Sequence, residues 1–514
     1  MKHIFILTAM LLFSIKSFCQ AGSLDLSFSM NGKVTTLVGT SSSRGNSVAI
    51  QSNGKIIVAG DYLNNFHNNY DFAIVRYNIN GTLDKSFAGN GKAGVDFGSN
   101  SDDEANSVAI QPTGEIVVIG NSGPPGNIKY LVGVRLKANG DLDNSFGING
   151  KVKIPFAGRM KSLAIQPDGK FVIAGDTGYN NDRNFALLRL TSDGTLDNSF
   201  GRNGTLSIDF YGEDDEANSV ALQSNGKIVV GGFTVQNGIR RFAIARFHKN
   251  GTFDSSFGKD GKVTTFVGTT GASGLALDIQ PNGKILQAGD FANSKGDGEI
   301  AIVRYNIDGT LDNSFAGNGK SAVSFGGESG ASSINVQPDG KIIVAGINSI
   351  NGPDYDIAVA RLKKNGTLDN SFGNGGEVTT NFGGNDFGSS MAIQPDGKIV
   401  VAGLSITDKY RTIVARYLGD GSSPAVITMN DQTNLIKSTL IKIYPNPVTN
   451  VIHLRELNSL ITSITISNQL GNVLIQQPVY SGGRGINVSM LKPGAYNLTV
   501  LQNNKITNFK FIKQ

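Results

Sequence analysis

The sequence contains no tryptophan and a single cysteine, Cys19, which stands close to the start of the chain. If that cysteine belongs to a leader, the folded part has no partner thiols, so its stability must come from packing and backbone hydrogen bonds rather than from disulfides. Only 17% of the residues are charged, and there are four histidines. The histidines are scattered and form no pair with the spacing of metal ligands.

Motifs for catalysis and phosphate binding are missing as well. No Gly-x-Ser-x-Gly nucleophile elbow occurs. Gly319-Lys320-Ser321 resembles the end of a phosphate-binding loop, but Ser314 stands where that loop needs a glycine. The sequence therefore predicts a protein that is not an enzyme and that has no cofactor and no metal-ligand set. Acidic runs at 102–104 and 213–216 leave calcium binding as an alternative.

The basic charge of the chain lies at its two ends. The formal net charge is +5, with +2 in residues 1–19 and +6 in residues 438–514, which leaves −3 for residues 20–437. A nucleic-acid-binding domain needs a basic stripe on its folded surface. This distribution argues against nucleic acid as a partner.

The first 19 residues have the three-part pattern of a secretory signal peptide. Lys2 and His3 precede an apolar run over 4–15, which at about 12 residues is too short to span a ~30 Å hydrocarbon core. Small residues at 17 and 19 predict cleavage between Cys19 and Gln20. We expect an exported mature chain without a transmembrane segment. An uncleaved anchor and a lipoprotein lipidated at Cys19 are the alternatives.

Glycine is abundant, with 66 of 514 residues, and much of it belongs to an internal repeat. A phrase of an apolar pair, Gln, a two-residue turn, Gly-Lys and four apolar residues recurs with its turn glycine at Gly54, Gly114, Gly169, Gly226, Gly283, Gly340 and Gly397. A second phrase, Leu/Phe-Asp-x-Ser-Phe, begins at Leu24, Leu83, Leu142, Leu196, Phe253, Leu311 and Leu368. In the first unit we expect strands at 33–38, 47–51, 55–61 and 72–78, joined by glycine turns.

Four strands in each of seven units predict an all-β fold, a seven-bladed β-propeller over residues 20–421. Strands such as 56–59 are apolar at consecutive positions, as in sheets that are covered on both faces. The repeat starts with one strand and ends with three, near 391–394, 398–404 and 412–417. We therefore expect strand 33–38 to complete the last blade and remove its open edge. An open solenoid is the alternative.

The phrase A-I-Q-P-D-G-K-I-V-V-A-G at 392–403, together with A-R-Y and G-T-L-D-x-S-F-G in other units, resembles the delta-60 repeat family of bacterial secreted proteins. The resemblance covers roughly residues 24–418. It implies a repeat architecture and says little about activity.

Arginine and aspartate recur at fixed positions of the repeat. The arginines are Arg76, Arg135, Arg189, Arg246, Arg304, Arg361 and Arg416, and the aspartates are Asp84, Asp143, Asp197, Asp254, Asp312, Asp369 and, at the start, Asp25. A residue required in every unit is expected to hold the unit together, so we predict structural Arg–Asp ion pairs, with Asp25 paired to Arg416 across the closure. A charged ring around the channel is the functional alternative. A glutamine set, Gln51, Gln111, Gln166, Gln223, Gln280, Gln337 and Gln394, accompanies them.

The connections that differ between units are expected on one face of the propeller, and variable loops on a rigid scaffold commonly carry binding sites. They lie at 61–70, 121–129, 176–184, 233–240, 290–298, 347–355 and 404–411. Their aromatic residues predict a ligand site for a glycan or a protein at Tyr62, Phe66, Tyr70, Tyr179, Tyr355 and Tyr410. Ordinary solvated loops, a secreted hydrolase that acts on polysaccharide, and a purely structural surface component are the alternatives.

The repeat stops near residue 421, a polar linker follows over 422–439, and residues 440–514 read as a small antiparallel β-sandwich. This last segment carries Tyr444, Pro445, Asn446, Pro447, a Gly471 turn, Gly494, Tyr496 and a basic end at Lys513. These features resemble the type A C-terminal sorting domain of the Bacteroidetes type IX secretion system. The resemblance implies that the secretion machinery is a partner and that the protein is released or attached at the outer cell surface.

Overall fold

The computed structural model describes residues 20–178, 182–269, 271–349, 352, 354–420, 442–444, 448–455, 461–467, 473–480, 486–502 and 505–513. The chain divides into two compact units, residues 1–427 and 428–514. Within the described ranges all regular elements are strands. These residues include no helix of the length and hydropathy needed to cross a membrane. Cys19, Tyr179, Pro445, Asn446, Pro447, Gly471 and the predicted linker lie outside the described residues.

The first unit contains 28 strands in seven four-stranded antiparallel sheets. In chain order the strands are β1 Lys33–Thr36, β2 Ser47–Ile50, β3 Ile56–Asn64, β4 Asn69–Tyr77, β5 Lys92–Val95, β6 Asp102–Ile110, β7 Ile116–Gly123, β8 Tyr130–Leu136, β9 Lys151–Pro155, β10 Gly158–Ile165, β11 Phe171–Thr177, β12 Asn184–Leu190, β13 Thr205–Ile208, β14 Asp215–Leu222, β15 Ile228–Gln236, β16 Ile239–Phe247, β17 Lys262–Thr265, β18 Ala272–Ile279, β19 Ile285–Ala292, β20 Gly298–Tyr305, β21 Lys320–Val323, β22 Glu328–Val336, β23 Ile342–Ser349, β24 Asp356–Leu362, β25 Glu377–Thr380, β26 Asn385–Ile393, β27 Ile399–Ile406 and β28 Tyr410–Tyr417.

The first strand of the chain completes the last sheet. Sheets one to six each take four consecutive strands, from β2–β5 to β22–β25, whereas the seventh has the order β1-β28-β27-β26. In that sheet Lys33 pairs with Ala415 and Thr36 pairs with Thr412. The predicted strand pairing between the two ends of the repeat is therefore present, and it covers the edge that β28 would otherwise expose.

Seven clusters of buried apolar residues hold neighbouring sheets together, one at each junction. The cluster between the seventh and first sheets packs Val400 and Val414 against Val48, Ile56 and Val75. The central strands read as continuous apolar runs because both faces of each sheet are covered by a neighbour. Each sheet thus packs on the next, and the seventh packs on the first.

A ring of serine hydroxyls joins the innermost strands. The backbone N–H of Val48 donates to Ser390 Oγ at 3.2 Å, and that of Val108 donates to Ser47 Oγ at 3.2 Å. The same bond recurs at Ser107, Ser162, Ser219 and Ser333. At the seventh position Ala276 replaces the serine, and the carboxylate of Asp278 accepts from Val336 N–H instead, at 2.7 Å.

The second unit is a small sandwich with its own core. Its strands are β29 Lys442–Tyr444, β30 Val451–Arg455, β31 Ile461–Ser467, β32 Val473–Tyr480, β33 Ile486–Asn487, β34 Gly494–Gln502 and β35 Lys505–Lys513. They form a sheet of order β29-β30-β33 and a sheet of order β32-β31-β34-β35. Ile452 from the first sheet and Ile464, Leu498 and Phe511 from the second share one buried cluster. Tyr496 stacks on Phe511 with ring centroids 5.6 Å apart.

Two details of the strand predictions were wrong. The first strand ends at Thr36 rather than at residue 38, and the connections at 61–70 and 233–240 are mostly strand. In the first of these, Tyr62 pairs with Asp71 and Asn64 pairs with Asn69, so only a tight turn remains between β3 and β4. Cross-strand pairing of polar and aromatic side chains extends the ladder where the sequence lacks the apolar pattern.

Candidate binding face

The repeated arginines and aspartates lie together at the ends of the blades, on the face that carries the repeated turns. Arg76 Nε lies 2.7 Å from Asp84 Oδ2, Arg135 Nε lies 2.7 Å from Asp143 Oδ2, and Arg189 Nε lies 2.8 Å from Asp197 Oδ2. The pairs Arg246–Asp254, Arg304–Asp312 and Arg361–Asp369 lie at 2.7, 2.6 and 2.9 Å. Asp25 and Arg416 form the corresponding pair across the closure, at 2.8 Å.

Each of these arginines also contacts other residues of the repeated phrase. The guanidinium of Arg76 lies over the ring of Phe87, 4.6 Å from its centroid, and donates to the backbone carbonyl of Ala138 in the next blade. Ser86 Oγ donates to Asp84 at 2.7 Å and accepts from Arg76. The Leu-Asp-x-Ser-Phe phrase therefore supplies the charge, the hydroxyl and the ring that hold one arginine, and the arginine in turn holds the next blade.

A lysine from the turn completes the site in all blades but the second. Lys55 Nζ lies 2.7 Å from Asp84 Oδ2, whereas Glu115 occupies the corresponding position beside Asp143. Burial alone would raise the pKa of Asp84, but hydrogen bonds from Lys55 and Ser86 and the charge of Arg76 hold that pKa well below its usual range. Buried ion pairs that recur in every blade and whose arginines also hold the next blade support a structural role.

Of the predicted aromatic residues that the structure describes, two come together on the opposite face. The guanidinium of Arg44 lies between the rings of Tyr70 and Tyr410, 4.6 and 5.1 Å from their centroids. Phe66, in the turn between β3 and β4, is 89% exposed. Tyr62 is half-buried in the β3–β4 hairpin, where it pairs with Asp71.

Loops from the first and last blades meet around this cluster. Ser41 Oγ donates to Asn65 Oδ1 at 2.6 Å, and Lys409 Nζ donates to the carbonyl of Thr40 at 3.3 Å. We call the surface formed by Thr40, Ser41, Arg44, Asn65, Phe66, Tyr70, Lys409 and Tyr410 the seam surface. The remaining described tyrosine of the predicted set, Tyr355, lies elsewhere. Its ring is tilted against that of Phe387, with centroids 5.3 Å apart, and its hydroxyl donates to Glu328 at 2.9 Å.

The seam surface borders the mouth of a central channel. All seven innermost strands or the residues just before them line a cavity of about 600 Å³, whose walls are mainly serine and asparagine with Glu104, Arg159 and Lys161. The position three residues before the serine of the ring differs between blades. In blade order it is occupied by Arg44, Glu104, Arg159, Glu216, Ser273, Gly330 and Phe387. Four blades thus carry charges of alternating sign, and three carry small or apolar residues.

Most charges at the mouth are compensated within the protein. Arg183 Nη1 lies 2.5 Å from Glu216, and Lys161 also bonds Glu216. Burial would raise the pKa of Glu216, but Lys161 and Arg183 outweigh it and hold that pKa below its usual range. Arg159 is exposed and has no ion pair among the described residues. This guanidinium is open to an acidic or hydroxyl-bearing ligand.

Asp61 lies behind the mouth and is fully buried. Its carboxylate is 3.6 Å from Arg44 Nη1 and accepts from Asn46 Nδ2 at 3.1 Å. Burial raises the pKa of Asp61 to about 6, although Arg44 and Asn46 act in the opposite direction. Asp61 therefore changes charge near pH 6, and Arg44 is the cation that lies next to it.

The two acidic runs differ in structure: residues 102–104 all lie in a strand, whereas Glu213 and Asp214 lie in the loop before one. Asp103 and Glu104 belong to β6, and Asp215 and Glu216 belong to β14. Because side chains alternate along a strand, Asp103 and Asp215 are buried while Glu104 and Glu216 are half-exposed at the mouth. The residues at the channel mouth could not be recognised from features that every unit shares, because they differ between units. An alignment of the seven units on the serine of the ring would show this variable position three residues before it.

Comparison with known families agrees with the repeat and the tail. Seven segments, 51–87, 111–146, 166–200, 223–257, 280–315, 337–372 and 394–423, match the domain of unknown function (DUF5122) beta-propeller. Residues 442–514 match the secretion system C-terminal sorting domain. No curated protein matches the chain.

Several solved structures are similar to the chain at low sequence identity. Polysaccharide lyase Uly1 is 13% identical, with a TM-score of 0.44 over 78% of this chain and 97% of its own. A catalytically inactive variant of virginiamycin B lyase from Staphylococcus aureus, solved with quinupristin, is 11% identical, with a TM-score of 0.40 over 74% and 98%. The beta-propeller domain of the Trilobed protease from Pyrococcus furiosus is 12% identical, with a TM-score of 0.39 over 77% and 100%. Likeness at this level does not bear on the ligand.

Proposed function

We propose that this chain, which belongs to the DUF5122 beta-propeller family and ends in a secretion system C-terminal sorting domain, is a non-enzymatic binding module for a glycan. The sorting domain marks it for export by the type IX secretion system to the cell surface or the extracellular space. The proposed ligand site is the seam surface together with the adjoining channel mouth.

The observation that carries the proposal is the stack of Tyr70, Arg44 and Tyr410, with Phe66 exposed in the turn of the β3–β4 hairpin that also carries Tyr70. Tyrosine supplies rigid contact area at a small entropic cost, and neighbouring serine and asparagine side chains supply adaptable hydrogen bonds. A sugar ring has an apolar face and a rim of hydroxyl groups, so it can use both. The apolar part of the seam surface is a single exposed phenyl ring amid amides and hydroxyls, which suits a sugar better than a broad apolar protein interface.

The test is to probe the full-length chain on a glycan array and to measure affinity for the strongest hit by calorimetry. We expect Phe66→Ala and Tyr410→Ala each to weaken binding about tenfold or more, as for aromatic anchors of an interface. Tyr211→Ala is the matched control, because Tyr211 is also exposed on the variable face but follows β13 in the third blade, about halfway around the ring. Absence of any glycan hit, or equal loss in all three variants, would overturn the proposal. Binding of a peptide or protein at the seam surface would overturn the glycan as ligand class while retaining this surface as the binding site.

A secreted hydrolase that acts on polysaccharide is the second candidate, and one observation favours it. Asp61, whose pKa burial raises to about 6, lies behind the mouth and feels the charge of the half-exposed Glu104, so two carboxyl groups in different environments lie near one another. Release of reducing sugar from an array hit would support this candidate if Asp61→Asn abolished it without loss of binding. Binding without product release supports the module.

A further inference from the structure

We propose that the junction between the first and second blades binds a divalent cation, calcium, through the carboxylates of Asp71, Asp96 and Asp103. One carboxylate oxygen from each residue lies within 4.8 Å of those from the other two. Asp71 is on β4, Asp96 follows β5 of the same sheet, and Asp103 is on β6 of the next sheet. The site would therefore join two blades.

Buried oxygens without a hydrogen-bond partner lie at this junction, as they do at Asp215, Asp356 and Asp386 of two other junctions, and here they are combined with a third carboxylate. Asp71 and Asp103 are 1% and 0% exposed, and in each the Oδ1 atom is buried without a hydrogen-bond partner. Their Oδ2 atoms accept from Asn64 Nδ2 at 2.8 Å and from Phe97 N–H at 2.7 Å. Buried carboxylate oxygens are rarely left unsatisfied, and three carboxylates this close repel one another unless one of them is protonated or a cation lies between them.

The lysine that contacts the backbone at this group, Lys151, donates to the carbonyl of Asp96 at 2.7 Å and leaves the carboxylates without an ion pair to it. Within the described part of the chain, no lysine or arginine forms an ion pair with any of the three aspartates. The nearest basic group is His67, whose Nδ1 lies 3.8 Å from Asp96 Oδ2, beyond hydrogen-bond distance. Asp96 is 36% exposed at its side chain, so an ion has a path from solvent.

Other junctions show what this arrangement looks like without a cation. Asp71 precedes the residue that pairs with Val95, and Asp96 follows Val95. By the same register, the third-to-fourth junction has Asn184, Asp209 and Asp215, and the sixth-to-seventh has Asp356, Asn381 and Asp386. The last residue of each set accepts from a phenylalanine N–H, as Asp103 does.

Those two junctions replace one carboxylate by an amide, which can donate to its neighbours. Only the first-to-second junction, among these three, has carboxylates at all positions. The aspartate that all three junctions share, Asp103 or its equivalent, is therefore structural, because in each case it accepts from a phenylalanine N–H. The repeat does not require carboxylates at both of the other positions, which in the first-to-second junction are Asp71 and Asp96. Carboxylate oxygens are hard donors of the kind that calcium prefers.

Terbium luminescence provides the probe, because the chain has 13 tyrosines and no tryptophan, and Tyr62 is the cross-strand partner of Asp71. We expect the full-length chain to give saturable tyrosine-sensitised terbium emission that calcium displaces, and calcium to raise its melting temperature. Asp96→Asn imitates the Asn381 arrangement, so it should fold, while its terbium affinity falls about tenfold or more because one ligand charge is lost.

Asp209→Asn, at the same position of the third-to-fourth junction, is the matched control and should leave terbium affinity and the calcium-induced thermal shift unchanged. Melting without metal checks that both variants fold. The inference is overturned if the wild-type chain shows no saturable emission, or if Asp96→Asn binds terbium as tightly as the wild type. It is also overturned if Asp209→Asn alone loses binding, since the ion would then lie at the other junction.

Discussion

Replacing Asp25 by alanine should destabilise the contact between the two ends of the repeat and lower the free energy of unfolding. Asp25 and Arg416 are 2% and 1% exposed, and their charged groups lie 2.8 Å apart. Arg416 also donates to the carbonyl of Ile79 and lies over the ring of Phe28, so it cannot swing out to solvent without losing both contacts. The variant therefore leaves a guanidinium buried without its counter-ion, which costs about 3–5 kcal/mol.

That free-energy loss translates into a measurable thermal shift. Unfolding entropy near the midpoint is about 2.1 cal/mol/K per residue, so for roughly 400 residues a loss of 3–5 kcal/mol lowers the melting temperature by about 4–6 °C. Scanning calorimetry of the full-length chain, with heating and rescanning to check reversibility, measures it. Asp339→Ala is the surface control, because the Asp339 side chain is 48% exposed, and it should change stability by less than about 0.5 kcal/mol.

A double variant separates the ion pair from general damage at the seam. Asp25→Ala with Arg416→Met removes both charges, so its melting temperature should lie above that of Asp25→Ala alone. The reasoning fails if Asp25→Ala melts with the wild type. It also fails if the double variant melts lower than the single one, because the unpaired charge would then not be the cause.

Three further outcomes follow from the structure. Asp61→Asn should flatten the pH dependence of stability between about pH 4 and 6. Because the raised pKa of Asp61 favours the folded state at low pH, the free energy of unfolding of the wild-type chain falls by up to about 3 kcal/mol as the pH rises through 6. Urea titrations at both pH values would detect this fall, and an equal slope in the variant would contradict it. Glu115→Lys should place a lysine beside Asp143, as in the other blades, and raise the free energy of unfolding by up to about 1 kcal/mol; a decrease would refute the role given to that lysine. Ser390→Ala removes the acceptor of Val48 N–H at the seam and should cost about 1–3 kcal/mol in denaturant unfolding, whereas no change would show that water replaces the hydroxyl.

The repeated features of the fold could be predicted because every unit restates them. The Arg–Asp spacing, the turn glycines and the incomplete first and last units indicated the blades and the strand pairing between Lys33 and Ala415. Turn geometry explains part of this: Gly54 has φ near +80°, a conformation that other residues adopt at a cost. Local rules repeated seven times leave few alternative topologies.

The candidate site could be predicted only in part, because it depends on what differs between units. Tyr70 and Tyr410 stood out as aromatic residues in variable connections, but nothing in the sequence indicated that Arg44 lies between them. That contact exists because the ends of the repeat, more than 360 residues apart, meet in one seam. Likewise Asp71, Asp96 and Asp103 come from three strands or connections, and only the register brings them together.

The meeting of the two ends has a consequence for export. Gly22 N–H donates to the carbonyl of Leu418 at 2.8 Å, immediately after the predicted cleavage point. The seventh sheet therefore cannot be completed until both the head and the tail of the repeat are on the same side of the inner membrane, however early the middle blades form. While the last repeat is still in transit, β1 has no strand to pair with, and a preprotein stalled at that stage is open to pairing with another copy.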